Sequence, residues 1–217
     1  MKKAFLIFFF TQFFFAQQNN QLWKGYFSYN EIVDVEAASN AVFAATENAI
    51  FTQEIASANL NIYNSITGLK PDVITTIHRS EAFNKTFVGN NNGLILIQNS
   101  DGSVTTKVDV ITEVPVPPNK KKINDFYEFN GRLYAATDYG ISVIDIATSE
   151  FISTYFIGTS GEETEVLQTT VFNNEIYAVT RSFGIRKASL SNPNLFDFSH
   201  FFFNDTATTE IYTLSLH

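Results

Sequence analysis

The chain has 217 residues, a formal net charge of −8 and no cysteine. Without Cys there is no disulfide framework, no Cys-ligated zinc or iron–sulfur centre, no thiol nucleophile and no lipid-modified N-terminal Cys. His78, His200 and His217 are too scattered for a His-based metal cluster, and the acidic balance argues against bulk attraction to nucleic acid.

At the N-terminus, Lys2 and Lys3 lead into an apolar run, Ala4 to Phe15, interrupted only by Thr11 and Gln12 and followed by polar Gln17–Asn20. The run falls short of the ~20 residues that a membrane-spanning helix needs. With its charged start it reads as an export signal over residues 1–16, cleaved after Ala16. The mature chain is then expected to be extracytoplasmic, in the periplasm or at the cell surface, with no spanning segment of its own.

Four segments then repeat one pattern: an apolar strand, a short turn, an aromatic–Ala strand, a turn ending in a small residue, and a β-branched strand. The aromatic strands are Val42-Phe43-Ala44-Ala45-Thr46, Thr86-Phe87-Val88-Gly89, Leu133-Tyr134-Ala135-Ala136-Thr137 and Ile176-Tyr177-Ala178-Val179-Thr180. The small residue before the third strand falls at Ala49, Gly93, Gly140 and Gly184, at steps of 44, 47 and 44. Ser39-Asn40, Asn130-Gly131 and Asn173-Asn174 are two-residue hairpin signals between first and second strands. A period near 45 built of short strands is that of a four-stranded propeller blade. The expected fold is therefore all-β, a partial β-propeller of four four-stranded blades at about 31–63, 73–108, 123–155 and 165–190. No convincing amphipathic helix interrupts residues 20–200.

The ring reads as unfinished. Asn192-Pro193-Asn194-Leu195 begins a connection onward, and Leu22–Ser28 looks like a strand that would close a last blade not contained in the sequence. Asn204–His217 matches, over all fourteen residues, the in-frame translation of a sequencing adapter, and Phe201–Phe203 fits the T-rich stretch before it. Residues 201–217 are accordingly set aside as a library artefact, leaving 17–200 as an incomplete N-terminal propeller. The excluded ends carry two Lys, one Asp and one Glu between them, so the charge balance is unchanged.

Asp34, Thr76, Asp125 and Gln168 each lie two residues after the first apolar residue of their blade. They share one register of the innermost strand and are expected to form a polar ring that could touch a ligand at the channel mouth. His78 reads as a structural histidine, Glu162, Glu163 and Glu165 as a solvated inter-blade loop, and Lys120–Lys122 as a solvated loop after the Pro-rich Val114–Pro118. No nucleophile elbow, phosphate loop or zinc-helix motif is present. The chain is thus expected to be non-enzymatic, with no catalytic residue, cofactor or metal.

Ser65–Ile74, with its Gly68-Leu69 pair, resembles the repeat signature of two-component-regulator propellers. The larger resemblance is to the N-terminal propellers of the PorZ family. It runs in order through Trp23–Asn30, Ala45–Phe51, Pro117–Asn124, Thr137–Val143, Tyr155–Gly158, Gly184–Ala188 and Asn192–Leu195, and covers residues 17–199. That resemblance implies a surface component of the type IX secretion system of Bacteroidetes-like organisms, with two seven-bladed propellers and a C-terminal sorting domain, of which four blades are present. It also implies work beside the sortase PorU in attaching cargo to anionic lipopolysaccharide, the propeller acting as a protein- or glycan-binding platform. The alternative is the periplasmic sensor propeller of a hybrid two-component regulator that binds a glycan fragment.

Overall fold

The computed structural model describes residues 31–203, apart from 71, 114 and 196. The export signal, the Leu22–Ser28 strand and the Asn204–His217 adapter reading lie outside the described residues.

Four four-stranded antiparallel meanders make up the described chain. Blade one is β1 (Ile32–Ala37), β2 (Ala41–Thr46), β3 (Ala49–Glu54) and β4 (Leu60–Asn64). Blade two is β5 (Ile74–Ser80), β6 (Lys85–Asn90), β7 (Ile95–Gln98) and β8 (Val104–Lys107). Blade three is β9 (Ile123–Phe129), β10 (Arg132–Thr137), β11 (Gly140–Asp145) and β12 (Phe151–Tyr155). Blade four is β13 (Val166–Phe172), β14 (Glu175–Thr180), β15 (Ile185–Ser189) and β16 (Phe202–Phe203). In each sheet the strands follow chain order from the inside out, and the inner strands β1, β5, β9 and β13 are successive neighbours. The all-β partial propeller expected from the repeat is what folds.

The repeat also explains how the blades stack. Phe43, Phe87 and Tyr134, the aromatic of the second strand in blades one to three, are 8%, 0% and 2% exposed. Each points at the following blade. Phe43 packs with Ile77 and Val88, Phe87 with Ile123 and Leu133, and Tyr134 with Val166 and Ile176. A blade covered on both faces has no reason to alternate apolar and polar residues. β10 and β11 of blade three are accordingly buried almost throughout, whereas β2 exposes Val42. That face of blade one also presents Val35 and Leu60.

Turn chemistry follows the sequence at two of the three expected hairpins; Ser39-Asn40 joins β1 to β2 without a positive φ at either residue. Asn130 and Gly131 have φ of 50° and 73°, and Asn173 and Asn174 have 49° and 61°, the left-handed pair that a two-residue hairpin with the right twist requires. Lys85, at the β5–β6 hairpin, straps blade two to blade three. Its Nζ donates to the carbonyls of Ile146 and Ala147 and to Ser149 Oγ, each at 2.8 Å. Replacing Lys85 by Met keeps the aliphatic stem but removes three charge-assisted bonds. The unfolding free energy is expected to fall by about 1–3 kcal/mol, read as a lower urea midpoint; an unchanged midpoint would show the strap to be idle.

Two features depart from the sequence reading. A single turn of helix, α1 (Asp109–Glu113), sits in the connection from blade two to blade three, burying Val110. The fourth sheet also runs past the limit near 190: Phe202 and Phe203 pair with Lys187 and Arg186. The outer edge of β15 offers unpaired backbone groups, and an apolar segment that arrives beside it completes the ladder. Phe201 anchors the segment, 2% exposed, with its ring centroid 6.2 Å from that of Tyr155.

Candidate functional site

Every inner strand carries a register shift at the same place: between Ile32 and Asp34, Ile74 and Thr76, Ile123 and Asp125, and Val166 and Gln168. The inserted residues are thus Val33, Thr75, Asn124 and Leu167, and a bulge of this kind re-aims the side chains around it. Two of these residues bridge blades. Thr75 Oγ1 donates to the Ile123 carbonyl at 2.6 Å, and Asn124 Nδ2 donates to the Val166 carbonyl at 2.9 Å.

The four residues of the expected ring each follow a bulge, so their common register holds. Their surroundings differ. Asp34 leans from β1 onto blade two, where its Oδ2 accepts from Thr76 Oγ1 and from the Ile77 amide, both at 2.8 Å. Its Oδ1 accepts from the Val35 amide at 2.8 Å. Thr76 is 2% exposed, its hydroxyl engaged with Asp34 rather than turned to the channel. Asp125 is half-buried, and Gln168 is exposed on the far face of blade four. The structure therefore brings Asp34 and Thr76 into contact and leaves Asp125 and Gln168 as the more accessible pair. Burial pushes the Asp125 carboxyl up to about 6, against the Phe126 amide, with the charges of Asp34 and Glu36 adding to the rise and that of His78 opposing it.

A second group lies beside the ring. The inner strand has a partner on only one edge, so every other amide on its free edge needs another acceptor. Asp34 serves the Ile77 amide, and Glu36 Oε2 serves that of Arg79 at 2.7 Å. The other Glu36 oxygen lies 2.9 Å from His78 Nδ1, while His78 Nε2 lies 2.9 Å from Glu128 Oε2 on blade three. The His78 side chain is 14% exposed, and those of Glu36 and Glu128 are 24% and 23% exposed. Three inner strands thus meet at one imidazole. His78 is structural in the sense expected, but the residues around it were not foreseen. Period-2 alternation after the bulge puts Glu36 and His78 in one register, which would have paired them. Glu128 sits one residue out of that phase because it faces backwards, onto blade two.

The other charged runs are engaged in structural pairs. Lys120 pairs with Glu163 at 2.9 Å, and Arg181 Nε with Glu165 at 2.6 Å. Glu162 accepts from the Thr159 and Ser160 amides. Lys121, read from sequence as part of a solvated loop, is 4% exposed and donates to the Ile111 carbonyl at 2.5 Å. Covering α1 with the Pro-rich connection buries it. The three lysines do not form one cationic patch. Among the described residues no cluster of His, Asp and Glu is arranged to hold a metal ion, and no helix is long and apolar enough to cross a membrane.

A groove of about 570 Å³ opens between blades three and four, a feature not legible in the repeat pattern. Tyr134 and Tyr155 floor it, Arg132, Asn130 and Asn192 rim it, and Ser153, 5% exposed, lines its wall with a hydroxyl that has no hydrogen-bond partner.

Residues 42–201 match the family model described as the PorZ N-terminal β-propeller domain of the type IX secretion system. A comparison with curated protein sequences gives no match. Among solved structures, PorZ of Porphyromonas gingivalis, described as an essential bacterial surface component of the type IX secretion system, superposes with a TM-score of 0.66 at 19% identity. The alignment covers 79% of this chain and 22% of PorZ. The extracellular domain of BT3049, assigned to a hybrid two-component system of B. thetaiotaomicron, gives 0.60 at 18% identity, covering 80% of this chain and 22% of that one. Sqt1 of Saccharomyces cerevisiae gives 0.58 at 11%, covering 75% and 46%. The chain thus spans about a fifth of the first two proteins, and likeness at these identities concerns the fold alone.

Proposed function

The chain belongs to the PorZ N-terminal β-propeller family, and from that membership we propose that it is part of an exported, non-enzymatic binding platform of a type IX secretion system. The family match over residues 42–201 carries this reading. The platform works outside the inner membrane, beside a PorU-like sortase, and presents anionic lipopolysaccharide for attachment to cargo. The groove between blades three and four supplies polar groups that a saccharide needs: amides at Asn130 and Asn192, and the exposed guanidinium of Arg132 for acidic sugars. The polar ring of Asp34, Thr76, Asp125 and Gln168 is the second place where a ligand could be met, at Asp125 and Gln168 rather than at the buried Thr76.

The test is deletion of the gene in its own host, followed by complementation. Cargo is expected to lose its lipopolysaccharide anchor and to pass into the medium, and restoration with Arg132→Ala and Asn192→Ala together is expected to be incomplete. Intact cargo anchoring, with altered transcription of glycan-utilisation genes instead, would replace the secretion reading by that of a sensor propeller. The likeness in fold to the BT3049 extracellular domain, with a TM-score of 0.60, keeps that second reading in view, beside the resemblance of the Gly68-Leu69 connection to two-component-regulator propellers.

A further inference from the structure

Each ring nitrogen of His78 lies 2.9 Å from a carboxylate oxygen, Nδ1 from Glu36 of blade one and Nε2 from Glu128 of blade three. An ionised carboxylate only accepts, and a neutral imidazole has one N–H to give. Both contacts are therefore hydrogen bonds only when the triad holds one proton more than neutral histidine with two carboxylates. We propose that His78 is a proton-operated latch, tying the inner strands of blades one, two and three together when protonated and releasing blade three when it loses that proton.

The direction of release follows from what else each carboxylate does. Glu36 is held a second time, by the Arg79 amide at 2.7 Å, whereas among the described residues the bond that holds Glu128 is the one to His78 Nε2. Deprotonation therefore leaves the Nδ1–H tautomer on Glu36 and turns the Nε2 lone pair towards Glu128, so that contact breaks. Around the imidazole stand Asp34 and Glu36 from β1, Arg79 on its own strand, and Asp125 and Glu128 from β9. The β2 and β13 strands carry no titratable side chain, and β6 sets Phe87 opposite His78, its Lys85 reaching away to Ile146. Burial lowers the His78 pKa, but the bonds and charges of Glu36 and Glu128 outweigh it, and the result lies above the ordinary 6.5. A raised value means that the latch contributes fully below about 6.5 and is lost as pH rises through the folded pKa. Asp125, raised to about 6, also favours the folded state at low pH, but its contribution disappears earlier, from about 4 to about 6.

The experiment is ring-nitrogen NMR of the histidine-labelled full chain, with His200 and His217 as internal references, joined to thermal unfolding at pH 5 to 9. His78 is expected to show two protonated ring nitrogens at pH 6, to titrate above 6.5 and to emerge as the Nδ1–H tautomer. In Glu128→Gln, whose amide can donate to a neutral Nε2, the proton affinity is expected to drop about tenfold, one pH unit. Unfolding temperature should fall between pH 6.5 and 8.5 in the parent and stay flat there in His78→Gln, while both retain the Asp125 fall at lower pH. A neutral His78 at pH 6 in the parent overturns the latch whether or not either variant folds. So does an unmoved titration in a folded Glu128→Gln protein, or an Nε2–H tautomer at high pH.

Discussion

Gly140→Ala is expected to lower the unfolding free energy by about 3–5 kcal/mol, the overlap and the backbone strain acting together. Gly140 opens β11, immediately after the Asp138-Tyr139 turn, with φ of 153°. A Cβ built there would stand 2.3 Å from the Tyr155 carbonyl oxygen and 3.3 Å from its carbon. Those are backbone atoms of β12, the outer strand of the same blade, so relief requires the strand itself to shift. Thr137 fixes the turn further, its Oγ1 donating to the Gly140 carbonyl at 2.9 Å. The repeat supplies its own control. Ala49 fills the corresponding slot of blade one, fully buried and without a positive φ, so Ala49→Gly should cost no more than about 1 kcal/mol. Urea midpoints of the two variants measure the contrast. Equal small losses would mean that the β11–β12 contact yields more readily than its geometry implies.

The same pair of residues shows what the sequence could and could not reveal. Period and slot were legible because stacking demands them: a blade buries both faces against neighbours, so the aromatic of the second strand and the small residue before the third recur every 43 to 47 residues. Which small residue is obligatory was not legible, because it depends on how closely the outer strand approaches, and outer strands vary most between blades. The candidate site divides in the same way. The register of Asp34, Thr76, Asp125 and Gln168 came from counting, since one bulge precedes each of them. That Thr76 is buried beneath Asp34, and that Glu128 reaches backwards to His78 across fifty residues of sequence, follows from which faces of neighbouring inner strands meet. No single-strand pattern encodes that pairing of faces. β16 was missed for a related reason: a free sheet edge accepts a backbone ladder from an apolar segment irrespective of where that segment originates.

Phe87→Ala is expected to be the most damaging of the core truncations, costing about 3–5 kcal/mol. Phe87 is 0% exposed and stands at the seam between blades two and three, packed with Ile95, Ile97, Ile123 and Leu133. Its ring meets that of Phe126 edge-on, with centroids 6.5 Å apart and planes at 60°. Removing it opens a void between two sheets whose strands are each held by their own ladders, so neither sheet collapses easily into the space, and the cost falls towards the upper end of the range. Because Phe126 belongs to the inner strand of blade three, the loss concerns blade stacking rather than either blade alone. A double-mutant cycle with Phe126→Ala should therefore return a coupling of about 0.5–1.5 kcal/mol. The corresponding aromatic of blade four, Tyr177, is only partly buried; its hydroxyl donates to Glu175 at 2.8 Å and the Lys187 ammonium lies 5.7 Å from its ring centroid. Tyr177→Ala is expected to cost clearly less than Phe87→Ala in the same chain. If the two truncations proved equal in urea midpoint, the stability of the stack would lie within the blades and not at the seams between them.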